Sequence, residues 1–217
     1  MKTIKYLFIT LCILYFPFTI YSNYKNNLLS GIVIVLDSGH GGFDQGASYQ
    51  NIIESDLNLI ITKKLEKKLI QLGSEVILTR KDHEDLSNNH IKKEDMKKRI
   101  EIINNEKNDL LISIHMNSYQ NNQVHGFHVF HQNNEDSIQL ANIIQNDMNQ
   151  QLNQNKEIKP GNFYILKYAR ITGVLIECGF LSNQTDRNQL LNEEYQNKIV
   201  NSLINSIIKY YQNKNII

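Results

Sequence analysis

Two kinds of hydrophobic spacing alternate along the chain from residue 31 onward. Short unbroken runs of β-branched residues predict buried strands, and apolar residues three or four apart predict helices. Residues 31–37 (GIVIVLD) make the first run, and a glycine-rich loop over 39–46 follows. Glu54-Ser55-Asp56 then opens a helix with apolar residues at Leu57, Ile60, Ile61, Leu65, Leu69 and Leu72, which Gly73 stops. Further strands are expected at 75–79, 110–114, 126–131 and, shortest, 174–176; further helices at 94–105, 135–152 and 195–211. This alternation predicts an α/β fold in a single domain, a mostly parallel twisted sheet with helices on both faces.

The first 25 residues follow another pattern. Met1-Lys2-Thr3-Ile4-Lys5 is basic, residues 6–21 carry no charge, and Ser22-Asn23-Tyr24-Lys25 closes the segment. That is the layout of an export signal. The apolar run is 16 residues with Pro17 inside it, short of the roughly 20 that cross a bilayer comfortably. Ile20-x-Ser22 is a weak substitute for a small-residue cleavage site, and Cys12 lacks the small neighbours of a lipidated cysteine. The expected organisation is therefore an export signal or membrane anchor at 1–25 and a folded domain at 26–217. The protein is expected outside the cytoplasm, membrane-anchored or secreted on the outer side of the cytoplasmic membrane.

Composition narrows the function. The chain has 217 residues, 41% hydrophobic, with 23 Lys+Arg against 22 Asp+Glu. The leader holds three Lys and no acid, which leaves 20 basic against 22 acidic residues in the body. A body without positive excess is a poor nucleic-acid binder, because such affinity comes from Lys and Arg on phosphates. Two Cys, one of them in the leader, exclude a disulfide-stapled miniprotein and a cysteine-rich metal ribbon.

Ligands of open α/β sheets collect beyond the carboxyl ends of the strands. His40 lies just past the first strand, His115 ends the third, Glu177 ends 174–176, and Glu54 starts the helix whose N-terminus reaches the same rim. Two His and one Glu are a ligand set of catalytic zinc that leaves a coordination position for water. The second Glu is then free to handle protons. Other polar groups fit less well. His83-Glu84 lacks the second His four residues after the first, so that stretch reads as a solvated loop. His125, His128 and His131 cannot share an ion in an extended strand, because His128 faces away from the other two. Cys178, next to Glu177, is expected to point into the packing.

The segments that hold these residues carry specific words. Ile34-Val35-Leu36-Asp37-Ser38-Gly39-His40-Gly41-Gly42 with Asp44-x-Gly46-Ala47 resembles the zinc-dependent N-acetylmuramoyl-L-alanine amidases of bacterial cell walls. So do the E-x-D-L-N-L start at Glu54, Val76-Ile77-Leu78-Thr79-Arg80-Lys81-Asp82, Arg99 with Asn104, Ser113-Ile114-His115-Met116-Asn117, and Ile176-Glu177-Cys178-Gly179-Phe180-Leu181-Ser182-Asn183. The match runs through residues 31–211. The resemblance implies that His40, Glu54 and His115 bind Zn2+ and that Glu177 is the catalytic Glu. It implies hydrolysis of the amide between the lactyl group of N-acetylmuramic acid and the L-alanine of the stem peptide in peptidoglycan. Ser38 stands where the family usually has Pro, and Thr172-Gly173 replaces its usual Pro-Ala. The short stretch between His115 and Gly126 has no room for the bulky regulatory helix of some members. A leader plus a bare catalytic domain, with Lys92-Lys93-Glu94-Asp95-Met96-Lys97-Lys98-Arg99, looks most like the germination-specific amidases of spore formers. That implies spore cortex as substrate, the spore intermembrane space as location and an accessory protein as partner.

In this reading Glu177 takes the proton of the attacking water and returns it to the departing L-Ala nitrogen. The glycines at 39, 41 and 42 let the backbone crowd the metal, and Asp37 is either a partner for a ligand His or a loop cap. The competing readings are a non-catalytic zinc-bearing peptidoglycan-binding module, a metallopeptidase cutting stem-peptide bonds, and a cysteine hydrolase using Cys178 with His115.

Overall fold

Side chains alternate across the central strands and divide the core into two halves. In the computed structural model, which describes residues 27–87 and 89–217, the strands are β1 (Val33–Ser38), β2 (Ser48–Tyr49), β3 (Ile52–Ile53), β4 (Glu75–Leu78), β5 (Leu110–Asn117), β6 (His128–His131), β7 (Lys159–Pro160) and β8 (Thr172–Phe180). The helices are α1 (Glu54–Gln71), α2 (Lys92–Ile103), α3 (Glu135–Leu152), α4 (Tyr164–Tyr168), α5 (Gln184–Leu190) and α6 (Glu193–Asn213). The leader expected at 1–25 lies outside the described residues. Among the described residues no helix is long and apolar enough to cross a membrane.

The main sheet has the order β4-β1-β5-β8-β6-β7. Its first four strands are mutually parallel, β6 joins β8 antiparallel, and β7 runs parallel to β6. The mostly parallel sheet read from the sequence is thus present. Ile34, Leu36, Ile112, Ile114, Val174 and Ile176 point to one face, where α1, α3 and α6 pack. Val35, Leu111 and Leu175, one position out of phase, point to the other with Ile103 of α2 and Ile165 of α4. Both faces are covered, which is why these strands read as unbroken apolar runs.

Local differences from the expected elements have local causes. Leu57, Ile61, Leu65 and Leu69 of α1 are buried, but Ile60 is 43% exposed. At about 100° per residue those four sweep one stripe, and Ile60 falls well outside its edge. The expected strands 110–114 and 174–176 are longer, because Asn117 pairs with Phe180 beyond a register shift. His115 and Glu177 therefore face each other across the ladder inside their strands rather than at the last residue. The β2–β3 hairpin has no apolar signature; it turns on Gln50 and Asn51, both with positive φ (49° and 66°), as a tight hairpin turn requires. It delivers the chain directly into Glu54.

The two faces give a stability contrast. Ile34→Ala on fully buried β1 is expected to lower unfolding free energy by about 2–5 kcal/mol, and Ile60→Ala by no more than about 0.5 kcal/mol. Urea midpoints of the two variants check this, and equal shifts would contradict the assignment of faces.

Candidate metal centre and its cavity

Three segments bring His40, Glu54 and His115 together: the loop after β1, the first residue of α1 and the carboxyl end of β5. His40 has a left-handed backbone (φ 59°), unfavourable for a residue with a Cβ, and two guanidinium groups hold it there. Arg99 donates from Nη1 to the Ser38 carbonyl (2.8 Å) and from Nη2 to the His40 carbonyl (2.6 Å). Arg80 donates from Nε to the Ser38 carbonyl (2.9 Å) and from Nη2 to the Gly39 and Ser55 carbonyls (3.1 and 2.8 Å). Arg99 is 1% exposed and is neutralised by Asp37 at 2.9 Å and Asp95 at 2.7 Å. Asp37 also accepts from the hydroxyls of Thr79 and Ser113, each at 2.7 Å. Burial works against its charge, but Arg99 and these hydroxyls outweigh it and hold the carboxyl below its usual range.

Glu54 Oε1 sits 3.2 Å from His40 Nε2 and 3.0 Å from His115 Nδ1. The same oxygen accepts from Met116 N (3.2 Å), while Oε2 accepts from Ala47 N (2.8 Å). Burial opposes the Glu54 charge, yet the hydrogen bonds to both imidazoles keep its pKa far below the ordinary value. His40 shows the mirror effect: burial disfavours its cation, but Glu54 and then Asp44 raise its pKa. Asp44 Oδ2 lies 3.0 Å from His40 Nδ1, and Lys92 Nζ lies 2.8 Å from the same carboxylate. Backbone crowding is severe here: a Cβ on Gly39 would lie 2.3 Å from the His115 ring, and one on Gly46 2.5 Å from Glu54 Oε2.

Ligand atoms of the three residues all lie within 4.8 Å of one another, and among the described residues this is the one group able to hold a metal ion. A tetrahedral ion with bonds near 2.0–2.1 Å sets its ligand atoms about 3.3 Å apart, close to the spacing that Glu54 Oε1 keeps from both imidazoles. The two histidines and the ionised carboxylate fit such an ion.

Glu177 enters from β8 beside His115. It is 7% exposed, and its Oε2 has no hydrogen-bond partner. Burial above all, with the Glu54 charge, pushes its pKa up to about 7 against the opposing pull of His115 and His40. One cavity of about 670 Å3 is lined by all four residues. Its remaining wall includes Met96, Met116, Phe163, Tyr164 and Ile165.

The structure thus brings together the four residues singled out by sequence. Cys178 is fully buried and its thiol is raised well above the ordinary range by burial, so it lacks the accessible thiolate a nucleophile needs. His83 and His90 are exposed and bonded to Asp56 and Asp85, as expected of a solvated loop. Two expectations need revision. Asp37 touches neither histidine of the cluster; the carboxylate beside His40 is Asp44, and Asp37 acts through Arg99. Of the three glycines, Gly39 approaches the cluster, whereas Gly41 and Gly42 pack on Arg80 and Asp85. The wall from α4 was not foreseen, since five residues are too few to show a helical period.

Comparison with known proteins agrees with this geometry. The family model described as N-acetylmuramoyl-L-alanine amidase matches residues 34–209. The germination-specific N-acetylmuramoyl-L-alanine amidase of Bacillus subtilis is 31% identical over 195 residues, covering 86% of this chain and 82% of that protein. The solved CwlD amidase of Clostridioides difficile, in complex with the GerS lipoprotein, is 37% identical with a TM-score of 0.79, covering 83% of this chain and 98% of that one. The solved catalytic domain of CwlV, an amidase from Bacillus (Paenibacillus) polymyxa, is 29% identical with a TM-score of 0.75, covering 83% and 98%. A hydrolase built on a mostly parallel sheet between helices, with a His/Glu/His cluster at the sheet's rim, is the class that fold and site define. Within that class, the chain belongs to the N-acetylmuramoyl-L-alanine amidase family.

Binding of a metal by this cluster would depend on pH. A histidine must be neutral to take a metal, and His40 of the cluster holds its proton to higher pH than an ordinary imidazole, whereas Glu54 stays ionised throughout. Affinity of the full chain for a divalent metal is therefore expected to fall as pH drops from 8 to 6, by about tenfold per unit for each proton displaced. Chelator-competition titrations measure it, and a flat profile would contradict the account of His40.

Proposed function

We propose that the chain hydrolyses the amide between the lactyl group of N-acetylmuramic acid and the L-alanine of the stem peptide, with Zn2+ held by His40, Glu54 and His115. The observation that carries this is a buried, unpartnered carboxylate oxygen, Glu177 Oε2, lining the same cavity as the His/Glu/His cluster. A mixed nitrogen and oxygen donor set of three, with room for a fourth position, is that of a catalytic zinc site. Zinc, when bound, supplies Lewis-acid polarisation of the scissile carbonyl and lowers the pKa of water toward ~7.

The protein's own groups carry the proton. Glu177 Oε2, free of other hydrogen bonds, accepts it from the attacking water and returns it to the departing L-alanine nitrogen. A pKa near neutrality lets one carboxylate serve as acceptor and then donor; a nearby dication lowers it somewhat. The Asp44 carboxylate, 3.0 Å from His40 Nδ1, faces the ring with a negative charge on its far side, and the apolar wall limits water around the reacting amide. A pure binding module has no use for a desolvated base, and a cysteine hydrolase has no accessible thiolate. Residues 26–217 form the catalytic domain in this reading, and residues 1–25 export or anchor it outside the cytoplasmic membrane.

Spore cortex is the proposed wall substrate, supported by the germination-specific relative of Bacillus subtilis. An accessory partner belongs to the same reading, since the Clostridioides difficile amidase was solved with a lipoprotein.

Product analysis of digested peptidoglycan is the test. The full chain should release free L-Ala amino termini and leave muramic acid intact, whereas a peptidase would expose other amino termini. Glu177→Gln should lower turnover at least about a hundredfold while the metal content stays at the wild-type level. Full activity in that variant would sink the assignment of the base.

A further inference from the structure

A second depression, of about 440 Å3, lies between α2 and α4. Tyr164 borders both it and the catalytic cavity. The face of α2 is also continuous: Lys93 lines the cavity, and Lys97, four residues on and therefore its neighbour on the helix surface, lines the groove. The groove carries Lys97, Lys167 and Arg170 against a single acid, Glu101. All three cations are exposed, and among the described residues none makes an ion pair. Lys167 Nζ lies 5.5 Å from the centre of the Tyr168 ring, a contact that leaves its charge without an acid, so in a body where acids outnumber bases the groove concentrates positive charge that no carboxylate neutralises. The groove is also fixed in shape. Asn104, which caps the end of α2, donates to the Tyr168 carbonyl (3.0 Å) and accepts from Arg170 N (2.8 Å), fastening the segment after α4 to the end of α2. Tyr164 and Tyr168, 40% and 46% exposed, stand with their rings 4.5 Å apart as an apolar platform.

The substrate of the proposed reaction has two unlike halves. The sugar side is uncharged once its lactyl carboxyl is in the amide, whereas the stem peptide carries the free carboxylates of its acidic and terminal residues. A groove with three cations that no acid neutralises is complementary to the peptide half only. Resting on the hydrolase reading, we propose that the α2–α4 groove is the stem-peptide subsite, in which Lys97, Lys167 and Arg170 take peptide carboxylates and Tyr164 and Tyr168 support the chain. The substrate then lies with its peptide along α2 and α4 and its glycan on the opposite side of the cavity.

The test compares a muramoyl-peptide with free carboxylates and the same compound with those carboxylates amidated. Each exposed ion pair contributes a factor of roughly two to three, so the full chain should prefer the free acid by about tenfold in kcat/KM, mainly through KM. Added salt should erode that preference. In the triple variant K97Q/K167Q/R170Q, checked for a wild-type melting temperature, the preference should collapse. A synthetic alanyl-glutamyl peptide should bind the wild type and bind the variant about tenfold more weakly; its diamide should bind both weakly. Retention of the preference by the variant overturns the subsite, as does an equal loss on acid and amidated substrates, which would mean that the groove holds glycan or a partner protein. If the wild type cleaves neither compound, the hydrolase reading fails separately. The peptide titration then decides the subsite alone, and absence of carboxylate-dependent binding rejects it.

Discussion

The site rests on a cation sealed away from water. Arg99 is fully enclosed beneath the loop after β1, and its guanidinium joins two acids, Asp37 and Asp95, to two backbone carbonyls, those of Ser38 and His40. Removing one partner of a buried pair costs about 3–5 kcal/mol, above the roughly 1–3 kcal/mol of a left-handed histidine. The network can therefore hold His40 in a conformation it would otherwise leave. Arg80 reinforces it from the other side, although burial and the neighbouring Arg99 charge push its pKa down to about 10. Two like charges so close are tolerated because Asp37 and Asp95 neutralise Arg99, while Arg80 spends its donors on backbone carbonyls.

Environment also separates the two glutamates. Glu54 accepts from two backbone amides and faces two imidazoles, so it stays ionised and suits a cation. Glu177, buried on β8 with one oxygen unpartnered, is pushed toward neutrality and suits proton transfer. A pair of like groups whose surroundings drive their pKa values apart is a general sign of divided catalytic roles. The division follows from topology: β5 and β8 are neighbours, so His115 and Glu177 lie side by side, while Glu54 arrives from the helix that follows the hairpin.

Much of this was legible in the sequence, for physical reasons. Unbroken apolar runs such as 31–37 report strands covered on both faces, and strand-end polar residues in an α/β order converge on one rim. That was enough to single out His40, Glu54, His115 and Glu177. Less visible were features without a period. The Gln50-Asn51 turn, the five-residue α4 and the groove beside it depend on a few residues brought close by long-range packing. Asp44 stood in plain view within the glycine-rich loop, but nothing in the spacing shows that the loop folds it back on His40. The role of Arg99 was equally hidden, because a buried guanidinium looks like any other cation on a charged helix until its acceptors are known. Whether residues 1–25 act as a leader lies outside the described residues.

The central claim is that the fork of Arg99, and not merely its charge, positions a metal ligand. Arg99→Lys keeps the cation but cannot reach both carbonyls and both acids at once. The decisive measurement is the metal dissociation constant of the full-length Arg99→Lys protein, by competition with a chromophoric chelator, beside a melting curve proving that it is folded. The account predicts affinity weaker by at least about tenfold, the scale seen when a partner that orients a ligand is lost, with Arg80→Lys shifting it in the same direction. A folded Arg99→Lys protein that binds metal as tightly as the wild type would contradict it.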